Sequence, residues 1–239
     1  MNELLEATLP FRPRALPSER VVELWLVDLS NLPLDTGSEV NDRAAELQQQ
    51  RLRQQFMLRL LLGSYLGCPG RDVELVRGQH GKPVLGEKHA DCPLQFNISH
   101  SNHWLAAAVG TGSPLGVDIE SERPMTRAIA LARRYFPAAE AESLARLDEP
   151  FLSRRFLQHW TAREALVKAH GCGLSGVMNQ IHLDGSPPAI RQLPDNWPGS
   201  GNWYLTMPRL PQGLIGHVAV QAAGLATHTF VLNSTGTAR

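Results

Sequence analysis

The apolar positions change their period along the chain, and those changes mark its elements. Residues 21–29 (VVELWLVDL) are rich in branched and aromatic side chains and read as a strand. Thr36-Gly37-Ser38-Glu39 has the form of a capping box. It predicts a helix running to Leu66, with Leu47, Phe56 and Leu60 turned to the core. Further strand patterns occupy 73–76, 94–99 and 104–109. Gly110-Thr111-Gly112-Ser113-Pro114 is the strongest internal break and divides the chain into halves, 1–112 and 113–239. The second half opens on a strand pattern over 115–120. Helical patterns follow, one led by Pro137 toward Leu147 and one over 150–170 that Gly171 stops. Residues 184–201 read as a Pro- and Gly-rich loop, with strand patterns at 203–207 and 216–222 beyond it. Each half offers a long helix and several strands, an α+β pattern.

Two of these segments carry chemistry. In Gly116-Val117-Asp118-Ile119-Glu120 the strand period turns Asp118 and Glu120 to one face and Val117 and Ile119 to the other. In Trp160-Thr161-Ala162-Arg163-Glu164-Ala165-Leu166-Val167-Lys168 the helical period puts Glu164 and Lys168 on one face at i,i+4. Singly, a D-x-E strand and a Glu–Lys pair are ordinary surface features. Together, three carboxylates and a lysine suit a hard divalent cation that holds a polyphosphate.

A second group lies in the first half. Gly81-Lys82-Pro83 forms a turn signal, and Phe96-Asn97-Ile98-Ser99-His100-Ser101 alternates apolar and hydrogen-bonding residues. A strand there delivers Asn97 and Ser99 to an open face, with His100 just past its end. A hydroxyl, an imidazole and a lysine at strand ends make a phosphate cradle.

These motifs, in the order GKP, FNISHS, GVDIE and Phe156-x-x-x-Trp160-Thr161-x-Arg163-Glu164-Ala165-x-x-Lys168, resemble the surfactin-type (Sfp-type) 4′-phosphopantetheinyl transferases. The following Gly171-Cys172-Gly173-Leu174-Ser175 is similar to the family's G-x-G-L-S, and the resemblance spans residues 51–183. It implies a pseudo-twofold pair of similar α+β halves with the active site in the cleft between them. The implied reaction moves 4′-phosphopantetheine from coenzyme A, the substrate, to a serine of an apo acyl- or peptidyl-carrier protein. Asp118, Glu120 and Glu164 would hold Mg2+, with Mn2+ as an alternative. Glu164 would be the general base, directly or through a metal-bound water, and Lys168 would stabilise charge on the diphosphate. Lys82, Ser99, His100 and Arg163 would contact the coenzyme A phosphates, His100 the 3′-phosphate. Arg163 stands where the family usually has lysine, which exchanges a point donor for a planar fork. Arg51, Arg53 and Arg59 are the candidate basic residues of the first long helix.

Composition narrows the alternatives. Formal net charge is +0 with 19% charged residues, so no global basic field serves nucleic acid or an anionic membrane. Three cysteines without C-x-x-C spacing argue against a disulfide framework and fit a reducing cytoplasm. Glu3 and Glu6 stand where a secretory leader would carry positive charge. The apolar run at 56–66 is broken by Arg59 and falls short of the ~20 residues of a membrane span. The expectation is a monomeric cytoplasmic enzyme. Two other classes remain: another magnesium-dependent phosphoryl or nucleotide enzyme, and a non-catalytic coenzyme A-binding module on the same fold. The first is disfavoured because no G-x-x-x-x-G-K-[ST] loop occurs.

Overall fold

In the computed structural model the described residues are 4–9, 11–32, 43–78, 81–173, 176–197, 202–222 and 224–232. The capping box at 36–39 and the Leu174-Ser175 pair lie outside them. The strands are β1 (Leu4–Ala7), β2 (Val21–Asp28), β3 (Leu75–Arg77), β4 (Pro83–Leu85), β5 (Leu94–Ser101), β6 (Trp104–Thr111), β7 (Leu115–Ser121), β8 (His182–Asp184), β9 (Ala189–Gln192), β10 (Tyr204–Thr206), β11 (Leu214–Val220) and β12 (Ala226–Leu232). The helices are α1 (Arg43–Leu66), α2 (Ala128–Tyr135), α3 (Ala138–Leu144) and α4 (Phe151–His170). The fold is mixed α+β. None of the described helices is long and apolar enough to cross a membrane.

Two sheets stack face to face between two helices. One has the strand order β1-β12-β2-β6-β5, the other β10-β11-β7. Alternation along the strands sets the layers. Val22, Leu24 and Leu26 of β2 and Ala106 and Ala108 of β6 meet Leu115, Val117 and Ile119 of β7 and Val218 and Val220 of β11. The opposite face of the larger sheet, with Trp25, Phe96, Ala107 and Val109, is covered by Leu58, Leu61, Leu62 and Tyr65 of α1. On the far side of the smaller sheet, Ala219 packs against Ala162, Ala165 and Leu166 of α4. β2 is therefore apolar on both faces, as a strand buried on both sides must be.

Three expectations change. Leu47 and Phe56 are 49% and 46% exposed, so neither is a core position of the helix. Phe56 lies about 200° around the helix from Leu58, and Leu47 about three turns before it on the same side, ahead of the turns that meet the sheet. Residues 184–201 contain the strand β9. The C-terminal β12 runs parallel to and between β1 and β2, so the larger sheet takes strands from both sides of the break at 110–114. Gly171 does stop α4: its φ of 82° is left-handed, and its N–H donates to the Val167 carbonyl.

Candidate active site

The site begins with a close approach. A Cβ on Gly116 would collide with the Ala165 carbonyl oxygen and the Ala169 nitrogen, so only glycine lets α4 lie this near to β7. Ala165 and Ala169 present the matching small surface, one turn apart. With the helix seated there, Lys168 Nζ donates to Asp118 Oδ1 at 2.7 Å and to the Val117 carbonyl at 3.2 Å. Asp118 is buried beneath it and also accepts a 2.7 Å hydrogen bond from Ser99 Oγ.

Glu164 is 9% exposed, and among the described residues no hydrogen-bond or ion-pair partner meets its carboxylate. Burial pushes its pKa up to about 7, the charges of Asp118 and Glu120 add to the rise, and Lys168 opposes it. Burial also raises Asp118, against the pull of Lys168 and Ser99. Glu120, half-buried, accepts from Ser101 Oγ at 2.8 Å and pairs with Arg123 at 2.9 Å. From the other half, Lys82 Nζ reaches the Lys168 carbonyl at 3.4 Å and the Leu115 carbonyl at 3.5 Å. Burial lowers the Lys82 pKa, and Lys168 lowers it further.

As these side chains stand, no three His, Cys, Asp or Glu residues among those described lie close enough to hold a metal ion. The donor set nevertheless suits a hard cation: Asp118, Glu120 and Glu164 would offer it carboxylate oxygens alone, Glu164 has no partner among the described residues, and Lys168 and Arg123 sit beside Asp118 and Glu120 where a cation would neutralise them.

The remaining expected residues part company. Asn97, Ser99 and Ser101 face β7, whereas Phe96 and Ile98 face α1. The exposed His100 shares the Phe96–Ile98 side of the strand. Ile98 lines a groove of about 430 Å3 with Arg51, Gln54, Arg59, Arg77 and Gly81. Within it Arg59 already donates to the Val73 carbonyl.

Arg163 does not reach the cleft. It is 0% exposed and its guanidinium lies 4.0 Å from the Phe136 ring centre. One nitrogen pairs with Glu140 and the Ile181 carbonyl, and the others donate to the carbonyls of His159 and Met178. With its donors taken inside the core, it ties α4 to α3 and to the chain that follows α4, and the expected contact to coenzyme A is withdrawn. His217, opposite Asp118 on β11, shares a 2.8 Å hydrogen bond with Thr161, and burial pushes its pKa down to about 3. Sequence reasoning passed over Gly116, Ser101, Arg123 and His217. The first two carried a signal, in the small pair Ala165/Ala169 and in the unbroken alternation of FNISHS.

Residues 25–111 match the family model described as the N-terminal part of 4′-phosphopantetheinyl transferase, and residues 114–206 match that of the 4′-phosphopantetheinyl transferase superfamily. The 4′-phosphopantetheinyl transferase HetI of Nostoc sp. is 32% identical over 207 residues, 79% of this chain and 85% of that protein. The 4′-phosphopantetheinyl transferase Sfp of Bacillus subtilis is 31% identical over 130 residues, 52% of this chain and 54% of that one. The L-aminoadipate-semialdehyde dehydrogenase-phosphopantetheinyl transferase of Mus musculus is 29% identical over 140 residues, 55% of this chain and 45% of that one.

Proposed function

The chain belongs to the 4′-phosphopantetheinyl transferase superfamily, and on that premise we propose that its cleft moves 4′-phosphopantetheine from coenzyme A to a serine of an apo acyl- or peptidyl-carrier protein. The observation that carries this reading is Glu164, a buried carboxylate with no partner among the described residues and a pKa of about 7, set beside Asp118 and one helical turn from Lys168. A base titrating near the working pH combines availability with driving force.

The serine Oγ attacks the phosphorus that bears the pantetheine arm. A P–O bond forms to the serine while the bond to the bridging oxygen breaks, and adenosine 3′,5′-bisphosphate leaves. The serine proton passes to the Glu164 carboxylate, directly or across one water. Lys168, released from Asp118, offsets charge on the diphosphate and its leaving oxygen, and Lys82 adds a second ammonium on the opposite wall. Asp118, Glu120 and Glu164 would hold a magnesium ion, or manganese in its place, which would supply charge neutralisation to the diphosphate oxygens. The groove of Arg51, Arg77 and Gly81, with Ile98 at its wall and His100 further along the same strand face, suits the nucleotide end of coenzyme A: cationic groups for phosphate, an apolar wall for adenine. Zero formal net charge and three free cysteines support a cytoplasmic enzyme with neither nucleic acid nor membrane as partner.

The test follows both products. With apo-carrier, coenzyme A and magnesium, chromatography should show adenosine 3′,5′-bisphosphate appearing one for one with loss of apo-carrier. A carrier with alanine at the acceptor serine should yield none. Nucleotide release that ignores the carrier would assign the cleft to hydrolysis, and coenzyme A binding without release would leave only a binding module.

A further inference from the structure

β7 is an edge strand of its own sheet, so the N–H groups on its outer side need partners. They do not find them on another backbone. Val117 N donates to Asn97 Oδ1 at 2.9 Å, Ile119 N to Ser99 Oγ at 3.2 Å and Ser121 N to Ser101 Oγ at 2.9 Å. Every second side chain of β5 thus meets every second amide of β7, and a ladder of side chains replaces the ladder of a continuous sheet. Two rungs go further. Ser99 Oγ, having accepted from Ile119, donates to Asp118 Oδ1 at 2.7 Å, and Ser101 Oγ, having accepted from Ser121, donates to Glu120 Oε2 at 2.8 Å. Each hydroxyl uses its acceptor and donor capacity to join a strand amide to a carboxylate next to it in the chain.

We infer that Ser101 is a positioning residue for the reaction: it aims the Glu120 carboxylate into the cleft and offsets the hold of Arg123 on it. The inference rests on the reading of Glu120 as a cation ligand. Glu120 is shared between Ser101, anchored to β7 through Ser121, and the 46% exposed side chain of Arg123. Without the hydroxyl, the arginine alone directs Glu120, and an arginine-paired carboxylate is a poorer ligand for a second cation. The Ser121 amide also loses its partner. Hydrogen bonds to ligating carboxylates orient them, and their loss typically weakens metal binding by about 10–100-fold. Ser101 therefore links the seam between the two sheets to the cation site.

The experiment titrates Mn2+ into the whole protein at fixed coenzyme A and reads the free ion by its solution EPR signal. Wild type, Ser101→Ala, Ser101→Thr and Glu120→Gln are compared, with thermal melts of each. Ser101→Ala should weaken Mn2+ binding by about tenfold or more, Ser101→Thr, which keeps the hydroxyl, should bind more tightly than Ser101→Ala, and Glu120→Gln should bind more weakly than wild type. If Glu120→Gln weakens binding while Ser101→Ala does not, the positioning role is refuted and Ser101 is a seam residue alone. If Glu120→Gln leaves binding unchanged, the cation reading of Glu120 has failed, and the inference falls with it.

Discussion

Replacing Glu164 with glutamine should make the protein more stable and inactive at once, because the same burial that suits the carboxylate to its work opposes folding. An ordinary glutamate titrates near 4.5, and in the folded chain Glu164 titrates at about 7. Between those values the folded protein keeps a proton that the unfolded chain has released, so stability falls as pH rises through this window. Above pH 7 the full cost is present, about 3 kcal/mol. Glutamine matches the shape of the neutral acid and cannot ionise, so Glu164→Gln should match wild type near pH 4.5 and exceed it at pH 8 by up to that amount. For a chain of this length the gain is roughly 6–12 °C in Tm. Calorimetry at several pH values in EDTA measures it, and transfer activity should fall by about 10²–10⁴-fold in the same variant. Magnesium with coenzyme A should then stabilise wild type at pH 8 more than the variant, by preferential binding to the folded state. Equal stabilities at every pH, or a less stable glutamine variant at pH 8, would refute the placement of an unpaired buried charge at Glu164.

Three further substitutions separate the roles of nearby residues. Gly116→Ala should cost about 1–3 kcal/mol or more and lower activity together with Tm, since the added methyl must push α4 off β7; denaturant melts beside kcat read both. Arg163→Ala leaves Glu140 and His159 without their central partner and should cost about 3–5 kcal/mol, while the KM for coenzyme A of the protein that remains folded stays unchanged. His100→Ala should weaken coenzyme A by about 1.5–3 kcal/mol if the exposed imidazole meets the 3′-phosphate. Binding of 3′-dephospho-coenzyme A should then barely change, and equal losses for both ligands would remove His100 from the phosphate.

Local pattern made the chemistry legible and left its neighbours hidden. The alternation of Val117, Asp118, Ile119 and Glu120 does send apolar side chains to the inter-sheet core and Asp118 toward α4, and Glu164 and Lys168 do share the helix face above it. The period of a strand says which residues share a face but not what that face meets. The alternation therefore offers Asn97 and Ser99 as hydrogen-bonding groups on an open face, Ser99 for a phosphate, whereas the structure turns both to the amides of β7. The same gap hid β12, whose partners β1 and β2 lie at the other end of the chain. Arg163 sits in a run of site residues, and only Glu140, 23 positions earlier, takes its charge into the core. On α1 the pattern announces a helix, but where the sheet begins beneath it leaves Leu47 exposed and covers Leu58 on the same side.

Intact-mass spectrometry of a panel of apo-carrier proteins, each incubated with this protein, coenzyme A and magnesium, tests the proposed transfer most directly. At least one carrier should gain the mass of a single phosphopantetheine on its acceptor serine with the wild-type protein, and none should with Asp118→Ala, Glu164→Gln or Lys168→Ala. Carriers left at their apo mass while coenzyme A is consumed, or modification that persists in all three variants, would contradict it.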